Sequence, residues 1–229
     1  PDVDDRAPLK NPVDPMADTF MEIMTQAAYI AAADLHPDAE SRIREELQAA
    51  GATLARKARP PRTLIAFDAH PGNYLMTPDG RAVLVDLEKA RYGAAAFDLA
   101  HATLYTSTTW DVGSHAVLDR AQVDTFHRAW LNAVPAELAA ATEPWLLPLR
   151  RMMWLWSVTW CAKWRVESRQ AAAAADRMST ENWSAELSTD TLVAHVADRV
   201  ADYLDPETIT RVRADWRDEA SPSAIARAG

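Results

Sequence analysis

Between Leu64 and Ala102 the chain reads LIAFDAHPGNYLMTPDGRAVLVDLEKARYGAAAFDLAHA. Asp68 and Asn73 stand there as D-x-x-x-x-N in a short loop between two apolar runs, and Asp86 and Glu88 close the next apolar run, RAVLVDLE. An acid and an amide five residues apart, followed by a carboxylate across a hairpin, is the layout of a phosphoryl-transfer metal site. In such a site one carboxylate orients the attacking hydroxyl. The amide oxygen and the second carboxylate are hard ligands suited to Mg²⁺.

Each residue also has a plainer reading. Asp68 could cap its own loop as an Asx turn, with Pro71-Gly72 forcing the bend. Asp86, at the end of a buried run, is costly unless it is paired or metal-bound, and Lys89 or Arg91 could pair it. Glu88 supports the metal or substrate, or is an exposed loop acid. His70 is expected to hydrogen-bond within the loop and hold its shape; with Asp68 and Asp86 it would instead suggest a metal hydrolase, although no H-x-x-x-H spacing backs that. Asp98, just inside the next helix in FDLA, is expected to cap or brace the loop. His101, His115, His127 and His195 are scattered and read as surface or satisfied core residues.

Elements must hold these groups in place. Helical spacing begins at about Met16, breaks at His36-Pro37-Asp38, and resumes with Ile43, Leu47, Ala50 and Leu54 on one face. Residues 63–67, 74–77 and 82–86 read as strands, with Pro78-Asp79-Gly80 as the turn between the last two. Helices are predicted over about 95–107, 119–134, 146–168 and 190–204, and one short helix follows Pro206. Residues 1–15, with four prolines among acids, read as a linker, 16–215 as one unit, and 216–229 as a polar tail.

Composition narrows the function. A net charge of −9 and a pI near 5.1 leave no basic footprint for nucleic acid. The apolar run from about Leu146 to Val166 carries Arg150, Arg151, Lys163 and Arg165, so it is not read as a membrane span. The lone cysteine, Cys161, reads as a buried small hydrophobe in a reducing, cytoplasmic setting. Trp154, Trp156, Trp160 and Trp164 crowd one helix; they read as core packing, with a ring or two available to a cationic ligand.

The ordered set FDAHPGN, VDLE, FDLA resembles the aminoglycoside phosphotransferase and choline kinase-like family, whose motifs are HGDxHxxN, D-x-E or D-x-D, and a D-L-A helix start. The resemblance implies an α+β, mostly α-helical fold: a protein kinase-like C-terminal lobe with a small β-hairpin carrying the catalytic and metal loops. It implies that Asp68 is the catalytic aspartate, Asn73 and Asp86 hold Mg²⁺, Asp98 is the structural acid, and ATP is the co-substrate. The acceptor would be a small-molecule hydroxyl, with acidic and Trp residues favouring an amino sugar or amino alcohol. The family's His-Gly is Ala66-Phe67 here. The 67 residues before Asp68 read as linker and helices; the six glycines form no G-x-G and none of the four lysines lies in a strand, so the nucleotide-binding N-terminal lobe is expected to be absent from this chain. A kinase-like binding module without catalysis is the rival reading.

Overall fold

The structure, a computed structural model, describes residues 9–173 and 189–217; the first eight residues of the expected linker and residues 218–229 of the expected tail lie outside them. It is mostly helical, with two small antiparallel sheets. In chain order the helices and strands are α1 (Pro15–Ala27), α2 (Pro37–Leu54), β1 (Thr63–Ile65), β2 (Tyr74–Met76), β3 (Ala82–Leu84), β4 (Arg91–Gly93), α3 (Ala95–His101), α4 (Tyr105–Thr108), α5 (Arg120–Ala133), α6 (Ala136–Thr142), α7 (Leu146–Ala173), α8 (Thr189–Tyr203) and α9 (Pro206–Arg217). Among the described residues no helix is long and apolar enough to cross a membrane.

Proline opens α1, α2 and α9, where its missing N–H costs nothing and its fixed φ suits the first turn. Side chains satisfy other orphan donors. Asp14 Oδ1 accepts from Ala17 N at 3.0 Å, and Asp205 Oδ1 accepts from Glu207 N at 2.8 Å. Asp119 and Gln122 form a reciprocal capping box on α5.

The strands depart from the sequence reading. The predicted hairpin forms, with Tyr74 opposite Leu84 and Met76 opposite Ala82, and Gly80 takes φ +81 in its turn. However, β1 does not join it. β1 pairs with β4, a strand the sequence reading did not predict, Thr63 opposite Gly93 and Ile65 opposite Arg91, so the described residues hold two sheets. β1 also stops at Ile65 instead of residue 67, because the N–H groups of Ala66 and Phe67 leave the ladder for a side chain. The helix predicted over 95–107 is likewise cut in two after His101. There the buried Arg150 guanidinium takes the Thr103 carbonyl at 3.3 Å and its hydroxyl at 2.6 Å, which competes with continued helical pairing.

The chain folds as two compact units, Pro1–Met21 with Ala50–Met153, and Glu22–Ala49 with Trp154–Gly229. The first unit holds both sheets and a core of Ile65, Phe67, Phe97, Leu99, Leu104 and Leu149, in which Phe67 and Phe97 meet edge to face at 6.1 Å. The second is helical and buries Ile43, Val158, Tyr203, Ile209 and Trp154, the last packed at 5.7 Å on Trp216. Trp154 is thus a core residue, while Trp156 donates to Glu22 Oε2 at 3.3 Å. Cys161 is buried, and burial pushes its thiol up to about 12, so it stays protonated and inert.

The second unit also buries an ion pair. Arg213 donates from Nε to Glu46 Oε1 at 2.9 Å, with side chains 4% and 2% exposed, and from Nη2 to Glu45 Oε2 at 2.8 Å. Removing one partner strands the other's charge, so Arg213→Ala is expected to cost about 3–5 kcal/mol in urea unfolding. Arg213→Met with Glu46→Leu should recover most of that loss. A single variant as stable as the parent would show that the pair is not the anchor of this unit.

Candidate active site

All the candidate residues lie in the first unit, on the connections between β1, the hairpin and β4 and, for Asp98, in α3. After Ile65 the chain turns away from β4, and the main-chain N–H groups of Ala66 and Phe67 both donate to the Asp98 carboxylate, each at 2.8 Å. Asp98 lies in the first turn of α3, where a negative charge suits the helix dipole. Burial raises its pKa and the nearby charge of Asp68 adds to that, while its two backbone hydrogen bonds oppose the rise. Phe67 takes φ +63, in the left-handed region, at the position where the family motif has glycine. Its ring is held from two sides: the Phe97 edge, and the Arg91 guanidinium 3.7 Å from the ring centroid.

Asp68 follows, with its side chain 15% exposed. Oδ2 accepts from Lys89 Nζ at 2.9 Å, and Oδ1 lies 3.7 Å from His101 Nδ1. Burial alone would raise the Asp68 pKa. The charges of His101 and Lys89, with the Lys89 hydrogen bond, outweigh burial and hold the carboxyl below the ordinary range. The His101 share exists only where that imidazole is protonated, and burial pushes it down to about 4. At neutral pH Lys89 is therefore the positive charge hydrogen-bonded to Asp68.

The loop closes through a 3₁₀ turn, Pro71–Asn73. His70 stands at its N-cap and accepts from Gly72 N through Nδ1 at 3.2 Å. A Cβ on Gly72 would come within 2.9 Å of Asp111 Cγ and 2.9 Å of His70 Cε1, so only glycine lets the loop pass there. Burial lowers the His70 pKa, against the raising influence of Asp68 and Asp111.

Asn73 is only 8% exposed, and its Nδ2 donates back to the Asp68 carbonyl at 2.9 Å. Its own main-chain carbonyl accepts from Val85 N at 2.8 Å, which places Asp86 beside it across the hairpin. Asp86 has φ +55 and is exposed. Non-glycine residues rarely hold that conformation, and such strain collects at functional loops. Neither Lys89 nor Arg91 pairs with Asp86; Lys89 is taken by Asp68 instead. No hydrogen bond among the described residues reaches Asn73 Oδ1, and no ion pair there reaches Asp86. An amide oxygen just before β2 and an open carboxylate just after β3 are donors of the kind that fits Mg²⁺, which keeps several waters and substrate oxygens in its shell.

Glu88 is exposed on the same connection, with no hydrogen bond or ion pair among the described residues. No group of three or more His, Cys, Asp or Glu side chains among the described residues could hold a metal ion. The Asp68–His70–Asp86 set of a metal hydrolase is thus not assembled among them, and Asp68 Oδ2 and His70 Nδ1 are engaged by Lys89 and Gly72 N. The sequence reading missed three neighbours of the loop, Lys89, His101 and Asp111. His101 was findable, since it lies three residues after Asp98 and so on the same helix face. Asp111 had no local signal.

The buried imidazole gives stability a pH dependence. His101 has a folded pKa below its unfolded one, so its contribution is complete above pH 6.5 and is lost as pH falls towards about 4. The loss should be on the order of 3 kcal/mol. Denaturant midpoints measured from pH 7 to 4 should fall in the parent and fall less in His101→Gln; equal slopes would contradict the assignment. His127, also pushed down to about 4 by burial, adds a second share.

No curated protein matches the chain. The family model of the phosphotransferase enzyme family matches residues 5–141, more than half of the 229-residue chain and all of the loops just described. The chain belongs to the phosphotransferase enzyme family, the group to which the aminoglycoside phosphotransferase and choline kinase-like motifs point.

Proposed function

We propose that this protein is a small-molecule kinase that moves the γ-phosphoryl group of ATP to an acceptor hydroxyl in a Mg²⁺-dependent reaction, with the helical body serving as a kinase-like C-terminal lobe. The observation that carries the reading is the hydrogen-bonded link from Asp68 through Asn73 to Val85 and Asp86. The loop and the hairpin are thereby tied through the main chain, and the proposed site takes its two carboxylates and its amide oxygen from the tied segments.

Each residue has a defined task. Asp68 accepts a hydrogen bond from the acceptor hydroxyl and takes its proton as the oxygen attacks. Its depressed pKa suits an orienting group, because a loose phosphoryl-transfer transition state asks for little proton removal early on. Asn73 Oδ1 and the Asp86 carboxylate would hold the metal. Bound Mg²⁺ neutralises and aligns the phosphate oxygens of the nucleotide. Asp98 fixes the loop from beneath through the Ala66 and Phe67 N–H groups, and His70 fixes its far end through Gly72. Since the brace acts on the backbone, it survives the replacement of His-Gly by Ala66-Phe67. Glu88 supports the metal or substrate from the rim.

The acceptor follows from charge. Asp86 and Asp111 act on His70 of the loop, and Glu88 follows two residues after Asp86, in a chain of net charge −9, which favours a cationic acceptor such as an amino sugar or amino alcohol. A cytoplasmic location matches the use of ATP and a single, unpaired cysteine.

The test is phosphate transfer from radiolabelled ATP to a panel of amino sugars and amino alcohols. Asp68→Asn should lower turnover by about 10²–10⁴-fold with an unchanged circular dichroism spectrum. Equal turnover in that variant, on any acceptor the parent uses, would show that Asp68 has no part in the chemistry.

A further inference from the structure

We propose that Lys89 is a further catalytic residue, a cation that passes from Asp68 to the transferring phosphoryl group. The inference rests on the phosphotransferase reading and adds a role that none of the motif residues supplies.

Three observations carry it. Lys89 lies three residues after Asp86, so one connection delivers both the open carboxylate and the cation. Its Nζ is 2.9 Å from Asp68 Oδ2, with the side chains 30% and 15% exposed, so the pair is neither sealed in the core nor loose on the surface. Its main chain is fixed: Ala90 N donates to Leu87 O at 3.0 Å, and Arg91, stacked on Phe67, donates from Nε to Lys89 O at 3.2 Å. A rigid turn therefore aims a flexible four-carbon stem at the one carboxylate expected to meet the acceptor.

The chemistry follows from sharing that carboxylate. A hydroxyl bound to Asp68 sits one hydrogen bond from the carboxylate that Lys89 holds, and the phosphorus it attacks lies one bond beyond. The acceptor oxygen bonds to the γ-phosphorus. The bond from that phosphorus to the β–γ bridging oxygen breaks, its electron pair leaving with ADP, and the hydroxyl proton passes to Asp68. Negative charge is then spread over the non-bridging phosphoryl oxygens, next to the carboxylate on which Lys89 rests. An ammonium, compact and rotatable, can leave Asp68 to meet those oxygens as they arrive. If the pair were only a latch for the loop, the cation would stay on Asp68 throughout.

The experiment is calorimetric titration of the full chain with Mg-ADP, alone and with aluminium fluoride as the mimic of the transferring group. In the parent, aluminium fluoride should tighten binding by at least about 10-fold. Lys89→Gln should keep its Mg-ADP affinity and lose that tightening, and Lys89→Arg should restore much of it. Thermal melting checks that each variant is folded, with Lys89→Met as the second neutral replacement. If the neutral variants tighten as the parent does, Lys89 is a latch and the phosphotransferase reading stands without it. If the parent binds no Mg-ADP at all, both fall together.

Discussion

Two main-chain N–H groups converging on one carboxylate set the geometry of this site. Ala66 and Phe67 can point both donors at Asp98 only if the chain leaves the β1 ladder and Phe67 takes a left-handed backbone. That turn presents Asp68 on the next residue. Left-handed backbone at a bulky residue costs on the order of 1–2 kcal/mol, and it persists where the surroundings over-determine it. Here the surroundings are two charge-assisted hydrogen bonds and a ring clamped between Phe97 and Arg91.

The remainder of the site is built outward from that turn. Glycine at position 72 lets the loop pass Asp111 and His70, and Asn73 ties the end of the loop to its beginning and to the opposite strand. The short strands hold little structure by themselves, and β1 depends on a partner, β4, that is remote in the sequence. The helices supply the fixed points: α3 carries Asp98 and His101, and Arg150 at the start of α7 ends the helical run behind them. A polar site is thereby held at the edge of an apolar core without a large sheet.

Much of this was legible from residue types and order. D-x-x-x-x-N, the Pro-Gly turn and FDLA located the loop, the hairpin and the start of α3, because each rests on short-range chemistry. Pro15 and Pro37, read as linker and break, instead open helices as Pro206 does, because the first helical turn has no use for the missing N–H. β4 was not legible: Arg91-Tyr92-Gly93 is too short to show alternation, and its partner is distant along the chain. The break after His101 depends on Arg150, further still, so local helical spacing ran through it. The partner of Lys89 is the most instructive case. Sequence proximity favoured Asp86, but the left-handed backbone at Asp86 bends the chain there, and Lys89 reaches Asp68 instead.

The account stands on Asp68, Asn73 and Asp86 forming one metal-dependent nucleotide site. The most direct measurement is calorimetric titration of the chain with ATP in the presence of Mg²⁺, repeated with the metal chelated and with Asp86→Ala. Binding that requires Mg²⁺ and disappears in the variant is the predicted result. A folded protein that binds no nucleotide, or binds it equally well without Mg²⁺ and without the Asp86 carboxylate, would contradict the account.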